Sequence, residues 1–278
     1  MKLINPSAEI IEPTGYTIND IYKSIELAGK VSHKSEDTIT EDSAKKFVDR
    51  MIKLGHGATL EFGTVYLKVP KYKIYRDGAF QFNEPTYYTR NLYYKTYCNN
   101  DYLYITTNYR YIIENKLEHW LQFLCEPTEY HEKRICVKFI CDRGILAEFT
   151  RHRKFSFMAE SSRYNNYSKD KFGNELTFIK PCWLTGGMKS NLTYLEWETT
   201  LQEIEKSYLM LTKNGWKAEE ARNILPLALK TELYMCGFVN DWINFFTLRD
   251  DKQHAHPQAY ELAHPLHEEF IKRKYITN

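Results

Sequence analysis

The stretch RHRKFSFMAESSRY, residues 151–164, is the most informative part of the chain. Within fourteen residues it places three arginines, a histidine, a glutamate and three serines, which is more polar chemistry than a packed core needs. Arginine binds phosphate and carboxylate groups through paired hydrogen bonds. The stretch therefore predicts a site for a small polyanion, although its charge content alone also fits a solvated, salt-bridged helix end.

The spacing of apolar residues predicts the elements around this stretch. Residues 64–69 and 136–141 are typical of strands, and turn residues follow at 142–144. Helices are predicted at 44–54 with Gly55 as C-cap, at 109–124 after Asn108, from 145 to about 153, at 197–211 before Gly215, at 218–224, at 227–248 as one long buried helix, and at 258–274. The arginine-rich stretch thus lies near a strand–turn–helix junction, a common place for chemistry on a rigid scaffold.

The composition indicates a soluble globular protein. Of 278 residues, 43% are hydrophobic and 27% are charged, and 38 basic residues nearly balance 36 acidic ones. A nucleic-acid partner is therefore not expected. No apolar run approaches the ~20 residues of a membrane span, no secretory signal is recognisable, and the six cysteines form no CxxC pair. We therefore expect a cytoplasmic protein with reduced thiols and no membrane partner.

Tyrosines crowd into residues 70–108, among asparagines and threonines. Among them are Tyr87, Tyr88, Tyr93, Tyr94, Tyr97, Tyr102 and Tyr104. Because buried aromatic rings usually serve packing, the first interpretation is an aromatic-rich insertion of strands and loops that packs on the domain or on a partner subunit. Stacking on a substrate is the second interpretation.

The arginine-rich stretch resembles a family signature. RHR, seven residues and a serine, here Ser161, followed by Arg163 and Tyr164, is similar to the signature of the flavin-dependent thymidylate synthases. Two late motifs of that family have counterparts in RNILP at 222–226 and NFFTLR at 244–249. Their order and spacing favour the resemblance.

A fourth motif, HGATLE at residues 56–61, resembles the element of the same family at which flavin binds. Ala58 stands at the family's usual hydroxyl position, and Thr59 is the candidate substitute. The resemblance covers about residues 40–69 and 136–260 and leaves the tyrosine-rich segment unexplained.

The resemblance implies a role for each matched side chain. Several arginines would surround dUMP, because a phosphate dianion requires charge-assisted hydrogen bonds. The residues implied in substrate binding are Glu148, Arg151, Ser161, Ser162, Arg163, Arg222 and Arg249. Those implied in flavin binding are His56, Thr59, Glu61, Arg151, His152, Arg153, Asn240 and Asn244. Ser161 and Arg249 are the catalytic candidates, with Ser161 as a binding hydroxyl, since no histidine–acid relay is visible to make it a nucleophile.

Two positions depart from the family pattern. Residues 158–159, Met-Ala, stand where many members carry Asn-Glu, and Glu160 is a candidate for the missing carboxylate. Phe238 stands where a second flavin-contacting asparagine is common, with Asn240 or Asp241 as candidates to compensate.

The reaction that the resemblance implies is the reductive methylation of dUMP to dTMP. Methylenetetrahydrofolate would give the carbon, and NADPH would reduce FAD. The chain has neither GxGxxG nor GxxxxGK[ST], so NADPH would bind without a Rossmann unit. No metal is expected, because the spacing of His254, His256, His264 and His267 matches no usual zinc pattern.

The expected fold is α+β, a single domain over residues 1–278 in which a mostly antiparallel sheet is packed by long helices. Members of the family are homotetramers with sites at subunit interfaces, so a homotetramer is expected here too. The alternative function is a non-catalytic nucleotide- or RNA-binding module, with arginines for phosphates and tyrosines for base stacking. The near-neutral charge argues against it, and a yellow flavin colour would separate the two.

Overall fold

The computed structural model describes residues 1–76, 93–184 and 192–277. The strands in these ranges are β1 Lys2–Ile4, β2 Ser7–Ile11, β3 Thr64–Pro70, β4 Lys95–Cys98, β5 Tyr102–Asn108, β6 Arg134–Asp142, β7 Ser156–Ala159, β8 Thr177–Ile179 and β9 Lys230–Phe238. The α-helices are α1 Ile18–Val31, α2 Ser43–Leu54, α3 Gly57–Leu60, α4 Lys71–Arg76, α5 Tyr109–Glu114, α6 Arg143–Phe149, α7 Leu192–Lys213, α8 Ala218–Ala221, α9 Val239–Arg249 and α10 Pro257–Lys272.

The largest sheet is antiparallel and has the strand order β2-β6-β9-β7. Its central strands β6 and β9 pair from Arg134 opposite Phe238 to Asp142 opposite Lys230. One face packs on α9 and α10 in a core around Trp242. The opposite face meets α1, so the sheet is covered on both sides.

A second antiparallel sheet has the order β3-β5-β4 and shares a core with α1, α2 and α5. Its strands β4 and β5 both belong to the tyrosine-rich segment, so the described end of that segment, residues 93–108, forms part of this sheet. Tyr104 is buried in it, whereas the exposed Tyr97 stacks on Tyr130 with ring centroids 5.2 Å apart. Tyr87 and Tyr88 lie outside the described residues.

The third sheet pairs β1 with β8 in parallel. The predicted α+β class with mostly antiparallel strands is confirmed, with the strands distributed over three sheets in the described ranges. Every helix described there is too short or too polar to cross a lipid bilayer.

Several predicted helices are confirmed together with the residues that end them. Gly55 follows α2 in the left-handed conformation, at φ 69°, a backbone region that glycine enters without steric cost. Gly215, at φ 94°, follows α7 in the same way. The last helix, α10, begins and ends within two residues of the predicted bounds.

The helix predicted over residues 227–248 is wrong, because its first half is strand β9 and only its second half is helix α9. A strand covered on both faces is apolar throughout, so its composition resembles that of a buried helix. Leu233 and Met235 face the α9–α10 core, whereas Tyr234 and Cys236 face α1. That alternation was the sequence signal for a strand.

Two other helices are shorter than predicted. Asp142 caps α6 by accepting a hydrogen bond from the Ile145 N–H at 2.7 Å, and the helix ends at Phe149. The RHR residues therefore form turns beyond the helix. Helix α5 likewise ends well before residue 124.

Candidate active site

Arg249, the last residue of α9, binds two other predicted site residues, Glu148 and His152. Its Nη1 donates to Glu148 Oε2 at 2.7 Å, and its Nη2 donates to the Glu148 carbonyl at 3.2 Å. Its Nε donates to His152 Nε2 at 3.1 Å. Because Glu148 lies in the last turn of α6 and His152 just beyond it, Arg249 fixes the RHR turn against α9.

His152 is buried and neutral in this cluster. Its residue is 8% exposed, and its ring packs edge-on against Phe245 with centroids 5.0 Å apart. Burial and then the Arg249 guanidinium lower the pKa of His152 to about 4. At neutral pH its Nε2 is therefore an acceptor, as the hydrogen bond from Arg249 requires.

Arg151 and Arg153 flank this histidine and are exposed. The Arg153 N–H donates to the Arg151 carbonyl at 2.9 Å, so the chain turns sharply here. Among the described residues, neither guanidinium has a protein partner. Two uncompensated guanidiniums beside a neutral histidine form a donor set that suits phosphate oxygens.

Ser161 begins a turn against the end of α1. Its N–H donates to the Ser32 carbonyl at 3.1 Å, and its Oγ accepts from the Arg163 N–H at 3.3 Å. The ring of Tyr164 lies 4.6 Å from that of His33. In the described part of the chain, the Ser161 hydroxyl contacts no histidine or carboxylate that could activate it, which agrees with a binding role.

Arg163 forms an ion pair with α8, the helix that directly precedes Arg222. The Arg163 Nε donates to Glu219 Oε2 at 3.1 Å, and Glu219 lies three residues before Arg222. Arg222 is exposed and has no protein partner within the described ranges. Ser162 is buried in the same turn as Arg163.

The predicted flavin-binding motif, residues 56–61, has His56 on the surface and Thr59 in the interior. His56 is exposed at the start of α3, close enough for its charge to act on His33. Thr59 is buried, and its methyl group lies over Gly29 of α1, where an added Cβ would come within 2.7 Å. Thr59 therefore packs α3 against α1 and does not present a surface hydroxyl.

Glu61 anchors a polar network of three residues that the sequence reasoning missed. Its carboxylate accepts from Arg110 Nη1 at 2.7 Å and from Ser156 Oγ at 2.6 Å. Its carbonyl accepts from Arg134 Nη1 at 2.9 Å, and Arg134 Nη2 also donates to Ser156 at 3.3 Å. Glu61 thus holds α3 to β6 and β7.

The two predicted asparagines lie on α9. Asn240 and Asn244 are both exposed. The alternative, Asp241, lies 3.4 Å from the ammonium of Lys154. Asn240 and Asp241 are the two candidates to replace the family asparagine that is absent at Phe238. Of these two side chains, that of Asn240 has no partner among the described residues.

Strand β7 separates the predicted residues into two groups. We define the RHR group as Glu148, 151–153 and Arg249, and the serine-turn group as 161–164 with His56 and Arg222. Residues 148–153 of the first group directly precede β7 and residues 161–164 of the second directly follow it, and a four-residue strand spans roughly 13 Å. Among the described residues no hydrogen bond or ion pair joins the two groups.

A buried charge network was also missed. Glu160, 3% exposed, accepts from Lys230 Nζ at 2.9 Å and from Tyr167 Oη at 3.1 Å. Lys230 also donates to Glu232 at 2.6 Å, and Lys138 lies 2.9 Å from the same carboxylate. Burial alone would raise the pKa of Glu232, but the neighbouring ammonium groups outweigh it and lower the pKa to about 2. The carboxylate of Glu160 is therefore paired with other side chains inside the protein.

The late histidines pair with acids. His264 Nδ1 lies 2.9 Å from Asp250 Oδ1, and His267 Nδ1 lies 2.6 Å from Asp250 Oδ2. His254 pairs with Asp251 at 2.7 Å. The described ranges contain no group of three or more ligating side chains placed to hold a metal ion.

A family model described as thymidylate synthase complementing protein, Thy1, matches residues 104–273. The match covers more than half of the chain, and the chain therefore belongs to this family. The resemblance to the flavin-dependent thymidylate synthases is confirmed, and the matched range includes three of the four motifs, all but HGATLE at 56–61.

Individual relatives agree with this assignment. A probable flavin-dependent thymidylate synthase of Paramecium bursaria Chlorella virus 1 is 31% identical over 136 residues, which are 47% of this chain and 62% of the relative. The flavin-dependent thymidylate synthase of Pyrococcus abyssi is 29% identical over 136 residues, 49% of this chain and 53% of the relative. The chain thus covers less than two thirds of the length of these relatives.

A solved structure of the UMP/dUMP methylase PolB from Streptomyces cacaoi, bound with 5-Br dUMP, is similar at a TM-score of 0.45 and 15% sequence identity. The comparison covers 98% of this chain and 93% of that chain.

Proposed function

We propose that the protein methylates dUMP to dTMP, with methylenetetrahydrofolate as the carbon donor and NADPH-reduced FAD as the reductant. The observation that carries the proposal is the RHR group, in which Arg249 and Glu148 hold a buried neutral histidine between two exposed arginines that pair with no other described residue. Family membership favours this enzyme over a non-catalytic nucleotide- or RNA-binding module.

The donor set of the RHR group fits the phosphates of the proposed ligands. Arg151 and Arg153 keep their full charge toward solvent, and the His152 ring stays neutral, so it adds no further positive charge. Asn240 and Asn244 add exposed amides from α9. FAD, when bound, supplies the electrons that turn a transferred methylene group into a methyl group.

In the serine-turn group we propose that Arg163 and Arg222 bind the dUMP phosphate and Ser161 binds the nucleotide through its hydroxyl. A hydrogen bond to a charged group contributes about 1.5–3 kcal/mol. Arg222→Ala should therefore raise the KM for dUMP by roughly 10- to 100-fold. Ser161→Ala should weaken dUMP binding while some turnover remains. Complete loss of turnover with unchanged dUMP affinity would contradict a binding role, and Ser168→Ala, whose hydroxyl bonds locally to Asn166, is the matched control.

The first experiment is the absorbance spectrum of the purified protein, with and without added FAD, followed by turnover with methylenetetrahydrofolate and NADPH. We expect the bands of oxidised flavin, their bleaching by NADPH, and dTMP as the product identified by mass. A folded protein that takes up no FAD and forms no dTMP would refute the proposal.

We further propose a homotetramer in which the RHR group of one chain and the serine-turn group of another complete each site. Light scattering should give the mass of four 33.1 kDa chains. Arg151→Ala and His56→Ala should each inactivate the enzyme, and co-expression of the two variants should restore part of the activity in mixed assemblies. Co-expression of Arg151→Ala with Arg153→Ala, both from one group, is the control and should restore none.

A further inference from the structure

A cavity of about 590 Å³ lies on the α1 side of the main sheet, and its lining contains none of the predicted site residues. Its walls come from the segment after β2, from α1 and from the first residues of β6. The exposed residues Glu12, Pro13 and Thr14 form part of its rim, so solvent reaches it. Cys136 and Cys236 both line it.

These two cysteines face each other across the sheet. Cys136 in β6 and Cys236 in β9 are direct register partners, so their side chains leave the same face of the sheet. Directly opposed residues of antiparallel strands have Cα atoms about 4.5 or 5.5 Å apart. Both values lie within the ~4.4–6.8 Å that a disulfide spans. The pair can therefore close without moving the strands.

The surroundings favour a thiolate at Cys236 and a thiol at Cys136. A hydrogen bond from Cys136, the nearby Arg134 guanidinium and a hydrogen bond from Thr64 outweigh burial and lower the pKa of Cys236, whereas the same hydrogen bond and burial raise the pKa of Cys136. Arg134 is itself fixed, since it donates to the Glu61 carbonyl and to Ser156. The thiolate is the reactive form of cysteine, so a stabilised thiolate beside a second thiol suits disulfide exchange.

We propose that Cys136 and Cys236 form a thiol–disulfide exchange site that reacts with small organic disulfides entering this cavity. The Cys236 thiolate attacks one sulfur of the disulfide, forming a mixed disulfide and releasing one thiolate, which takes a proton. The Cys136 sulfur then attacks the Cys236 sulfur, its proton passing to the second leaving thiolate. One small disulfide is thus reduced to two thiols while two protein thiols become one cross-strand disulfide.

The test treats the full chain with bis(2-hydroxyethyl) disulfide at pH 7.5 and maps disulfides by peptide mass spectrometry. We expect a Cys136–Cys236 cross-link that forms before any other disulfide and that a phosphine reductant reverses. In Cys136→Ser, which lacks the second sulfur, a mixed disulfide that carries the 2-hydroxyethylthio group should persist on Cys236. Cys182→Ser, which lies outside the cavity lining, is the matched control and should form the cross-link as the unaltered chain does.

Two results would overturn the proposal: both cysteines remaining as thiols while other cysteines are modified, or both carrying separate adducts without a cross-link. The unaltered chain decides the question even where a serine variant fails to fold. Because the readout is the covalent state of two named sulfurs, it is independent of flavin binding and of turnover.

Discussion

Acidification should selectively weaken the bond between His152 and Arg249. The Nε2 of His152 accepts from the Arg249 Nε at 3.1 Å, in a site where the histidine is 8% exposed. Protonation would replace that acceptor with an N–H directed at a guanidinium. The imidazole therefore stays neutral in the folded state, and burial and then Arg249 lower its pKa to about 4 from the ordinary 6.5.

The size of the effect follows from linkage between protonation and folding. Because the pKa of His152 is lower in the folded chain, the unfolded chain binds the proton first as the pH falls. The contribution to stability is complete above pH 6.5 and is lost progressively toward pH 4. For these two pKa values the free energy of unfolding should fall by about 2 kcal/mol between pH 7 and pH 5.

Urea unfolding of the unaltered chain and of His152→Gln at pH 7, 6 and 5 measures this contribution of His152 to the free energy of unfolding. Glutamine keeps an acceptor for Arg249 and does not titrate in this range. His33 and His131, whose pKa values burial also lowers, remain in both proteins and cancel in the difference. The stability advantage of the unaltered chain over the variant should shrink by about 2 kcal/mol between pH 7 and pH 5. An unchanged difference would refute the neutral, buried assignment of His152.

Two further predictions concern the main sheet and are measured by the free energy of unfolding. Gly237→Ala should lower the free energy of unfolding by about 1–3 kcal/mol, because the new Cβ would lie 2.4 Å from the Phe155 ring. Adding Phe155→Leu to this variant should recover part of the loss. Unchanged stability of the single variant would contradict the packing. Lys230→Met should cost about 3–5 kcal/mol at pH 7, since it leaves two buried carboxylates, Glu160 and Glu232, without their shared ammonium. That cost should decrease as the pH falls toward 4, because Glu232 without the Lys230 ammonium that lowers its pKa then protonates in the variant. A pH-independent loss would contradict the charge argument.

Local signals in the sequence predicted those parts of the fold that local physics determines. Gly55 and Gly215 end helices because each takes a positive φ, and both were predicted to do so. Strand β9 was mistaken for helix because a strand covered on both faces reads as an apolar run. The alternation of Glu232 and Tyr234 with Leu233 would have corrected that prediction.

The candidate site was predictable as a set of residues but not as a set of contacts. The motif spacing nominated Glu148, His152 and Arg249, yet about a hundred residues separate Arg249 from the two others. Only the packing of α9 against α6 shows that Arg249 fixes the RHR turn. The role of Arg134 was invisible for the same reason, since an arginine at the start of a strand gives no sign of the carbonyl it will meet 73 positions away.

The position of β7 limits how one chain can use both groups. Strand β7 is fixed by its pairing in the sheet and keeps its two ends roughly 13 Å apart. A ligand that contacts both Arg151 and Ser161 of one chain must therefore extend past this strand. A two-fold interface removes this constraint, because each chain offers one group to the other and two equivalent sites result. Recovery of activity when Arg151→Ala and His56→Ala are mixed would therefore show that the two groups of one site come from different chains. Failure of recovery in assemblies shown to contain both variants would instead place the complete site within one chain, with a ligand long enough to pass β7.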